Sequence, residues 1–364
     1  MRQRILWIDD VRTITMLLVI IGHCTYVSMM TPYGGIDYNR GCSPGDYSLS
    51  WKILNLIVTF IYSFHMPLFM MLSGCCFKLG VDKIEGWSSL LCNKYKRLLV
   101  PFFFTTLLLA VPIKYFTGYY AESTNVIMDI VCGQFLLMGN SHLWFVTSLF
   151  WIFLLFYKLY NSQLTARIFF MPSLLLVSMV ATYANNHGIE FLGMVQALKH
   201  LLYFSIGFLY LGKLDTQVWG GKKLMSHLAC FTFIFFVYFV MGKQHSVTMD
   251  IMHIILGITL GIYGSIWMVN FIKIAGRREK LTKNRIYRTF ARNSYELYLY
   301  SDPFNYAIIL IAYMLLGDYW TNGVDTLLIF FIRFFGTIIL AFGVIWVKNQ
   351  ISNMILKNGK IYKG

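Results

Sequence analysis

Charge is what this 364-residue chain has least of. Asp, Glu, Lys and Arg make up 13% of it, against roughly 25% in ordinary soluble domains. With 57% hydrophobic side chains and a mean hydropathy of +0.60, so few charges cannot cover a water-facing surface. The same figures exclude a disordered chain, which needs low hydrophobicity and high charge density. Acidic residues are the scarcer sign, 16 against 31 Lys and Arg. The net +15 is not a nucleic-acid footprint, because the basic residues lie in short segments between apolar runs instead of massing on one soluble face. Among the seven cysteines there is no CxxC pair and no metal spacing, so neither a zinc site nor a disulfide framework is indicated. No Gly-rich phosphate loop of the P-loop or dinucleotide type occurs, which leaves nucleotide hydrolysis without support. No A-x-A site follows the apolar N-terminal run, which therefore reads as an uncleaved first span. No linker, repeat or low-complexity tract delimits a second domain, so 1–364 reads as one integral domain.

What the chain has in abundance is long apolar runs and aromatics, the latter at 18%, which suits lipid and headgroup contact. A bilayer-crossing helix needs about 20 mostly apolar residues. Segments 13–31, 53–77, 98–117, 142–160, 166–184, 192–212, 224–241, 249–274, 294–316 and 324–349 qualify or come close. The expected fold is thus an all-α integral membrane protein of about ten transmembrane helices. The stretch 124–138 is too short, carries Asp129 and reads as interfacial or re-entrant. Alternate loops differ sharply in Lys and Arg: 25 fall on one side, while the opposite loops hold Arg40, Lys52 and Lys243, with Lys114 at a span end. By the positive-inside rule both termini are cytoplasmic.

Polar side chains inside hydrocarbon are candidate functional groups. Here they are His23, His65, His142, Lys199, His200, His253, Glu296, Asp302 and Arg333. Arg12 and His23 lie 11 residues apart in the first span. That is three helical turns plus about 20°, so they share one face, roughly 16 Å apart along the axis. Arg12 is expected at the cytoplasmic mouth and His23 near mid-span, an arrangement suited to a long anionic substrate that threads inward. A basic anchor and a helix-packing histidine explain the spacing equally well. In the second span His65 sits centrally, and Pro67 removes a helix hydrogen bond and frees the Ser63 carbonyl beside it.

These segments carry a resemblance. Ile8-Asp9-x-x-Arg12, the ten residues between Arg12 and His23, and Phe64-His65-Met66-Pro67-Leu68-Phe69 with Ser73-Gly74 resemble the acyltransferase 3 family of membrane acyltransferases. Lys96-Arg97-Leu98-Leu99-Val100-Pro101, His142-Leu143-Trp144-Phe145 and Ser294-Tyr295-Glu296-Leu297-Tyr298-Leu299-Tyr300 follow at compatible intervals, so the resemblance covers essentially the whole chain. It implies transfer of an acyl group, usually acetyl, from cytoplasmic acyl-CoA to a hydroxyl of a polysaccharide or lipid-linked glycan. It also implies His23 as the catalytic histidine, Arg12 as the essential arginine and His65 as a pore-lining partner. Asp9, Ser73, His142 and Glu296 fall in matching motifs as supporting residues. Acetyl-CoA would be a donor substrate, with no permanently bound cofactor, and the protein would reside in the cell membrane. The family's ninth-span motif often ends in His, where this chain has Ser301-Asp302.

The chemistry fits the residues independently. Acyl transfer needs a base for the hydroxyl proton, which histidine supplies, and a donor for the oxyanion. His65, Ser73 or a backbone amide are the candidates for that donor. An acyl-His23 intermediate is equally compatible. CoA phosphates call for Arg and Lys at the cytoplasmic mouth, where Arg12, Arg97 and Lys96 stand, with Lys94 and Arg292 nearby. Cys24 beside His23 points about 100° away and is not expected to pair with it. Glu296 and Asp302, six residues apart, do not face each other; Glu296 is expected to pair with Arg12 or Arg97, and Arg333 with Asp302 or Glu296. Lys199-His200 can face an acceptor cavity or snorkel. The loop 32–52, with Pro32, Tyr33, Asp37, Arg40, Asp46 and Trp51, is placed to meet the acceptor. A proton-coupled transporter would need inverted repeats, which are not evident, and a non-catalytic partner of polysaccharide export leaves the Arg-x10-His spacing unexplained.

The orientation makes a direct prediction. In single-cysteine backgrounds, Cys42 should react with an impermeant thiol reagent on intact cells, and Cys92 only after the membrane is opened. Labelling of Cys92 in sealed cells would reverse the topology.

Overall fold

The computed structural model describes residues 5–361 apart from 40, 140, 243–245 and 277–283. Arg2, Arg4, Arg40, Lys243 and the basic residues between 277 and 283, all used in the charge asymmetry, lie outside the described residues. The chain is helical almost throughout, as expected. Its order is α1 (Leu6–Gly22), a small hairpin of β1 (Ser28–Thr31) and β2 (Gly34–Asp37), α2 (Leu49–Tyr62), α3 (His65–Lys78), α4 (Trp87–Phe116) and the short α5 (Val126–Phe135). Then come α6 (Trp144–Asn161), α7 (Phe170–Asn186), α8 (Met194–Leu209), the short α9 (Leu211–Thr216), α10 (Gly221–Met241), α11 (Val247–Gly276), α12 (Arg285–Leu316) and α13 (Gly323–Ile361). Among the described residues, seven helical stretches are long and apolar enough to cross a membrane, counting α2 and α3 as one. Helices also occupy the other three expected segments; α1 and α7 have 17 residues and α8 has 16. The ten-residue α5 matches the short element expected at 124–138.

The first span departs from expectation. The apolar run 13–31 is not one helix: α1 begins at Leu6 and ends at Gly22, and the rest of the run enters the hairpin, whose register pairs Ser28 with Asp37 and Thr31 with Gly34. Hydrophobicity is shared by buried strand and helix, so the run alone could not place this boundary. Consequently His23 is the C-cap of α1 and not a mid-helix residue. The second span breaks one step before the expected proline kink. Ser63 and Phe64 separate α2 from α3, with Phe64 at φ −140°, and Pro67 sits in the first turn of α3. There its missing N–H is one that no helix could have paired.

The prolines of α4 are accommodated by π-helical turns, Tyr95–Leu99 before Pro101 and Thr106–Ala110 before Pro112. At the centre of the bundle, α3 and α8 touch backbone to backbone. A methyl group on Gly74 would fall 2.0 Å from the Phe204 carbonyl oxygen, and one on Gly207 1.8 Å from that of Met71. Only glycine permits this approach, the small-residue packing by which helices associate in lipid. It fixes the element that begins with His65 against the helix that carries Lys199 and His200. Many large apolar side chains, such as Phe103, Phe104, Leu107 and Leu108 of α4, face outward, as a lipid-exposed surface requires.

Candidate active site

Where α1 ends, its last carbonyls have no helical partner, and in hydrocarbon each must find one. The Tyr62 hydroxyl donates to the Gly22 carbonyl at 2.9 Å. Its ring approaches so closely that a Cβ on Gly22 would lie 2.4 Å from it. Arg333 of α13, 1% exposed, reaches across the bundle: Nη2 donates to the His23 carbonyl at 2.6 Å and Nη1 to the Tyr26 carbonyl at 2.8 Å. Its Nε donates to Asn305 Oδ1 at 3.0 Å, and the guanidinium lies 4.6 Å from the Tyr26 ring centre. The expected partners of Arg333, Asp302 and Glu296, are therefore not its hydrogen-bond acceptors; it pins the backbone that carries His23. Glu296 pairs instead with Lys348, and Arg12 with Asp9 at 2.7 Å.

The side chain of His23 meets Asp302, which is buried in α12. Nδ1 of His23 lies 3.1 Å from Oδ1 of Asp302, and Nδ1 of His142 lies 3.3 Å from Oδ2. Both are close nitrogen–oxygen contacts, and neither Nδ1 makes a hydrogen bond of good geometry. The Tyr26 hydroxyl lies 3.4 Å from the same Oδ1. His142 is held from its other side: Nε2 donates to the Leu299 carbonyl at 3.1 Å. Pro303 explains why that carbonyl is available, since its ring has no N–H to offer the residue four positions earlier. A carbonyl only accepts, so Nε2 of His142 carries a proton. The facing Nδ1–Asp302 contact is then attractive only when a further proton sits between them.

His65 follows the same pattern. Its Nδ1 donates to the Ile61 carbonyl at 2.9 Å across the α2–α3 break, leaving Nε2 as an acceptor. The ring stacks on Tyr62 at 4.9 Å. His23, His65, His142, His200 and His253 all line one cavity of about 480 Å³, together with Trp144 and Lys199. The sequence assembled these histidines as candidates, and the fold brings them together. Ser73 and Glu296 are not among the residues that line the cavity; the Ser73 hydroxyl donates to Phe69 within its own helix. Cys24 donates to the Ile20 carbonyl and is turned away from His23 chemistry. Arg12, Lys96 and Arg97 stand toward the opposite end of α1 and on α4, half or fully exposed. The buried Nε of Arg12 has no hydrogen-bond partner. Of the loop expected to meet the acceptor, Pro32 and Asp37 line a separate cleft, Trp51 stacks on Tyr47, and Arg40 lies outside the described residues. Two Ser43 hydrogen bonds hold the Asp46 carboxyl below the usual carboxylate range.

Asp302 was among the polar candidates of the sequence, but its place between His23 and His142 was not foreseen. Its signals in the sequence were an acidic side chain within an apolar span and the departure from the family motif at Ser301-Asp302, neither of which names its partners.

Removing the Arg333 guanidinium leaves three buried oxygens unpaired, each costing about 1–3 kcal/mol. Arg333→Gln should therefore lower the unfolding midpoint of the detergent-purified protein by several degrees, and Arg333→Lys, which cannot bridge three acceptors, should recover only part of it. An unchanged midpoint for Arg333→Gln would show that these bonds do not hold the end of α1.

No curated protein and no solved structure matches the chain. Residues 5–346, nearly all of it, match the acyltransferase domain of the acyltransferase 3 family, and with seven helical stretches able to cross a bilayer the chain belongs to that family as a multi-pass membrane protein.

Proposed function

We propose that this protein is a membrane O-acyltransferase that moves an acyl group, acetyl in the first instance, from cytoplasmic acyl-CoA to a hydroxyl of a polysaccharide or lipid-linked glycan. It would do so in the cell membrane, as one transmembrane domain with both termini cytoplasmic. The observation that carries this reading is the His23–Asp302 contact at 3.1 Å in the wall of the cavity.

A carboxylate facing Nδ1 favours the tautomer with hydrogen on that nitrogen, leaving the Nε2 lone pair free as a base. Nε2 of His23 takes the proton of the acceptor hydroxyl as its oxygen attacks the thioester carbonyl carbon. The resulting imidazolium is stabilised by Asp302. When the tetrahedral intermediate collapses, the C–S bond breaks and the CoA thiolate leaves with that proton, so His23 ends as it began. An acyl-His23 intermediate would use the same lone pair as nucleophile. His65, whose Nδ1 proton is committed to Ile61, offers an oxyanion no donor while neutral; it suits a second acceptor beside the reacting hydroxyl. At the other end of α1, the unpartnered Nε of Arg12, with Arg97 and Lys96, supports binding of CoA phosphates. With the N-terminus inside, donor and acceptor would meet at His23 from opposite faces.

His23→Ala should insert and express normally but lose transfer from labelled acetyl-CoA by about 10²- to 10⁴-fold in membranes holding matched amounts of protein. His23→Gln, which keeps a hydrogen-bonding side chain without a usable base, should be nearly as inactive. Near-normal transfer by His23→Gln would reduce His23 to a structural residue.

A further inference from the structure

The cavity has a second polar region that acyl transfer to a generic hydroxyl does not explain. It lies where α6, α7 and α8 meet, away from Asp302. Lys199 of α8 lines it, its ammonium 3.4 Å from Asn185 Oδ1. That same oxygen accepts from Gln196 Nε2 at 3.1 Å, which turns the amide of Gln196 over. Gln196 Oε1 is thereby left buried with no hydrogen-bond partner, on a residue that lines the cavity. Beside it the Trp144 ring lies against His200, their centres 5.2 Å apart, and His200 is fixed by donating Nδ1–H to the Gln196 carbonyl at 2.8 Å.

The charges here are one-sided. Among the described residues that line the cavity, none carries a carboxylate, and Lys199 is the one Lys or Arg. Glu190, whose field reaches Lys199, caps α8 with its carboxylate and accepts from the backbone N–H groups of Phe191, Val195 and Gln196. Asp302 lies behind His23 and His142 at the other end. An ammonium in a low-dielectric cleft attracts an anion strongly. An unpaired amide oxygen asks for a hydroxyl donor, and the partly buried Trp144 indole in the cavity wall can take the apolar C–H face of a ring.

We infer that this region is the acceptor subsite and that the acceptor is an acidic sugar. Its carboxylate sits on Lys199, one hydroxyl donates to Gln196 Oε1, and its ring packs on Trp144. The inference rests on the acyltransferase reading and narrows its substrate class.

The test compares two probes that differ at one carbon, methyl β-D-glucuronide and methyl β-D-glucoside. Acetyl transfer from labelled acetyl-CoA is measured with the full-length protein in membranes. The wild type should show kcat/KM at least about tenfold higher for the uronide, as expected of a charge-assisted hydrogen bond. In Lys199→Gln that gap should close to within about twofold. Without any acetyl-CoA, the uronide should raise the unfolding midpoint of the purified wild type and leave that of Lys199→Gln unmoved. Equal use of both probes by the wild type, a gap that survives in Lys199→Gln, or transfer to neither probe with His23-dependent acetyl-CoA hydrolysis intact would each overturn the acidic-sugar assignment and leave the acyltransferase reading standing. Absence of any His23-dependent consumption of acetyl-CoA would overturn that reading itself.

Discussion

Inside a bilayer a carbonyl without a hydrogen-bond partner costs several kcal/mol, and the candidate active site is organised by the carbonyls that helix breaks and prolines set free. The end of α1 exposes Gly22 and His23, which Tyr62 and Arg333 satisfy. The α2–α3 break offers Ile61 to His65, and Pro303 offers Leu299 to His142. In α4, Pro101 likewise leaves the Arg97 carbonyl to the Tyr295 hydroxyl, 3.2 Å away. Of these partners, Tyr62, His65 and His142 also line the cavity. The same requirement that keeps a helix break tolerable in lipid therefore fixes the rings of His65 and His142 and decides which of their nitrogens carries hydrogen.

Asp302 gives that scaffold a buried carboxylate at its centre. A lone buried carboxylate is unfavourable, and here two imidazoles and a tyrosine hydroxyl surround it, with Lys114 and Arg333 acting on the same charge from farther out. Lys114 is itself buried, donating to Gln134 of α5 at 3.0 Å and lying over the rings of Tyr119 and Tyr306. The short α5 thus helps to seat a cation that balances the site. Nothing in this arrangement requires His23 at mid-helix. Its place as the C-cap of α1 turns the ring toward the cavity while the backbone behind it stays pinned.

The sequence made the helices legible, because long apolar runs bounded by polar loops admit little else. It also singled out His23, His65 and His142 as candidates, since a histidine in hydrocarbon is conspicuous, and the fold gathers them on one cavity. What it could not reveal were the pairings. Asp302 meets partners 279 and 160 positions away, and no local spacing encodes such a contact. Glu296 and Arg333 were recognised as needing partners, yet the partners proved to be Lys348 and a set of backbone carbonyls. A backbone acceptor leaves no trace in side-chain chemistry. The α1 boundary was lost for a related reason: Cys24 to Thr31 is apolar enough for a span, and only the hairpin closing at Gly34, φ +108°, shows that the chain has left the helix.

The central claim is that Asp302 acts through His23, as one unit. A double-mutant cycle of His23→Gln, Asp302→Asn and both together, read as acetyl transfer from labelled acetyl-CoA in matched membranes, tests it most directly. The account predicts that Asp302→Asn alone is severely impaired and that adding it to His23→Gln costs little more than His23→Gln by itself, because residues acting as a unit are far from additive. Losses that simply multiply would contradict the account and make Asp302 an independent structural residue.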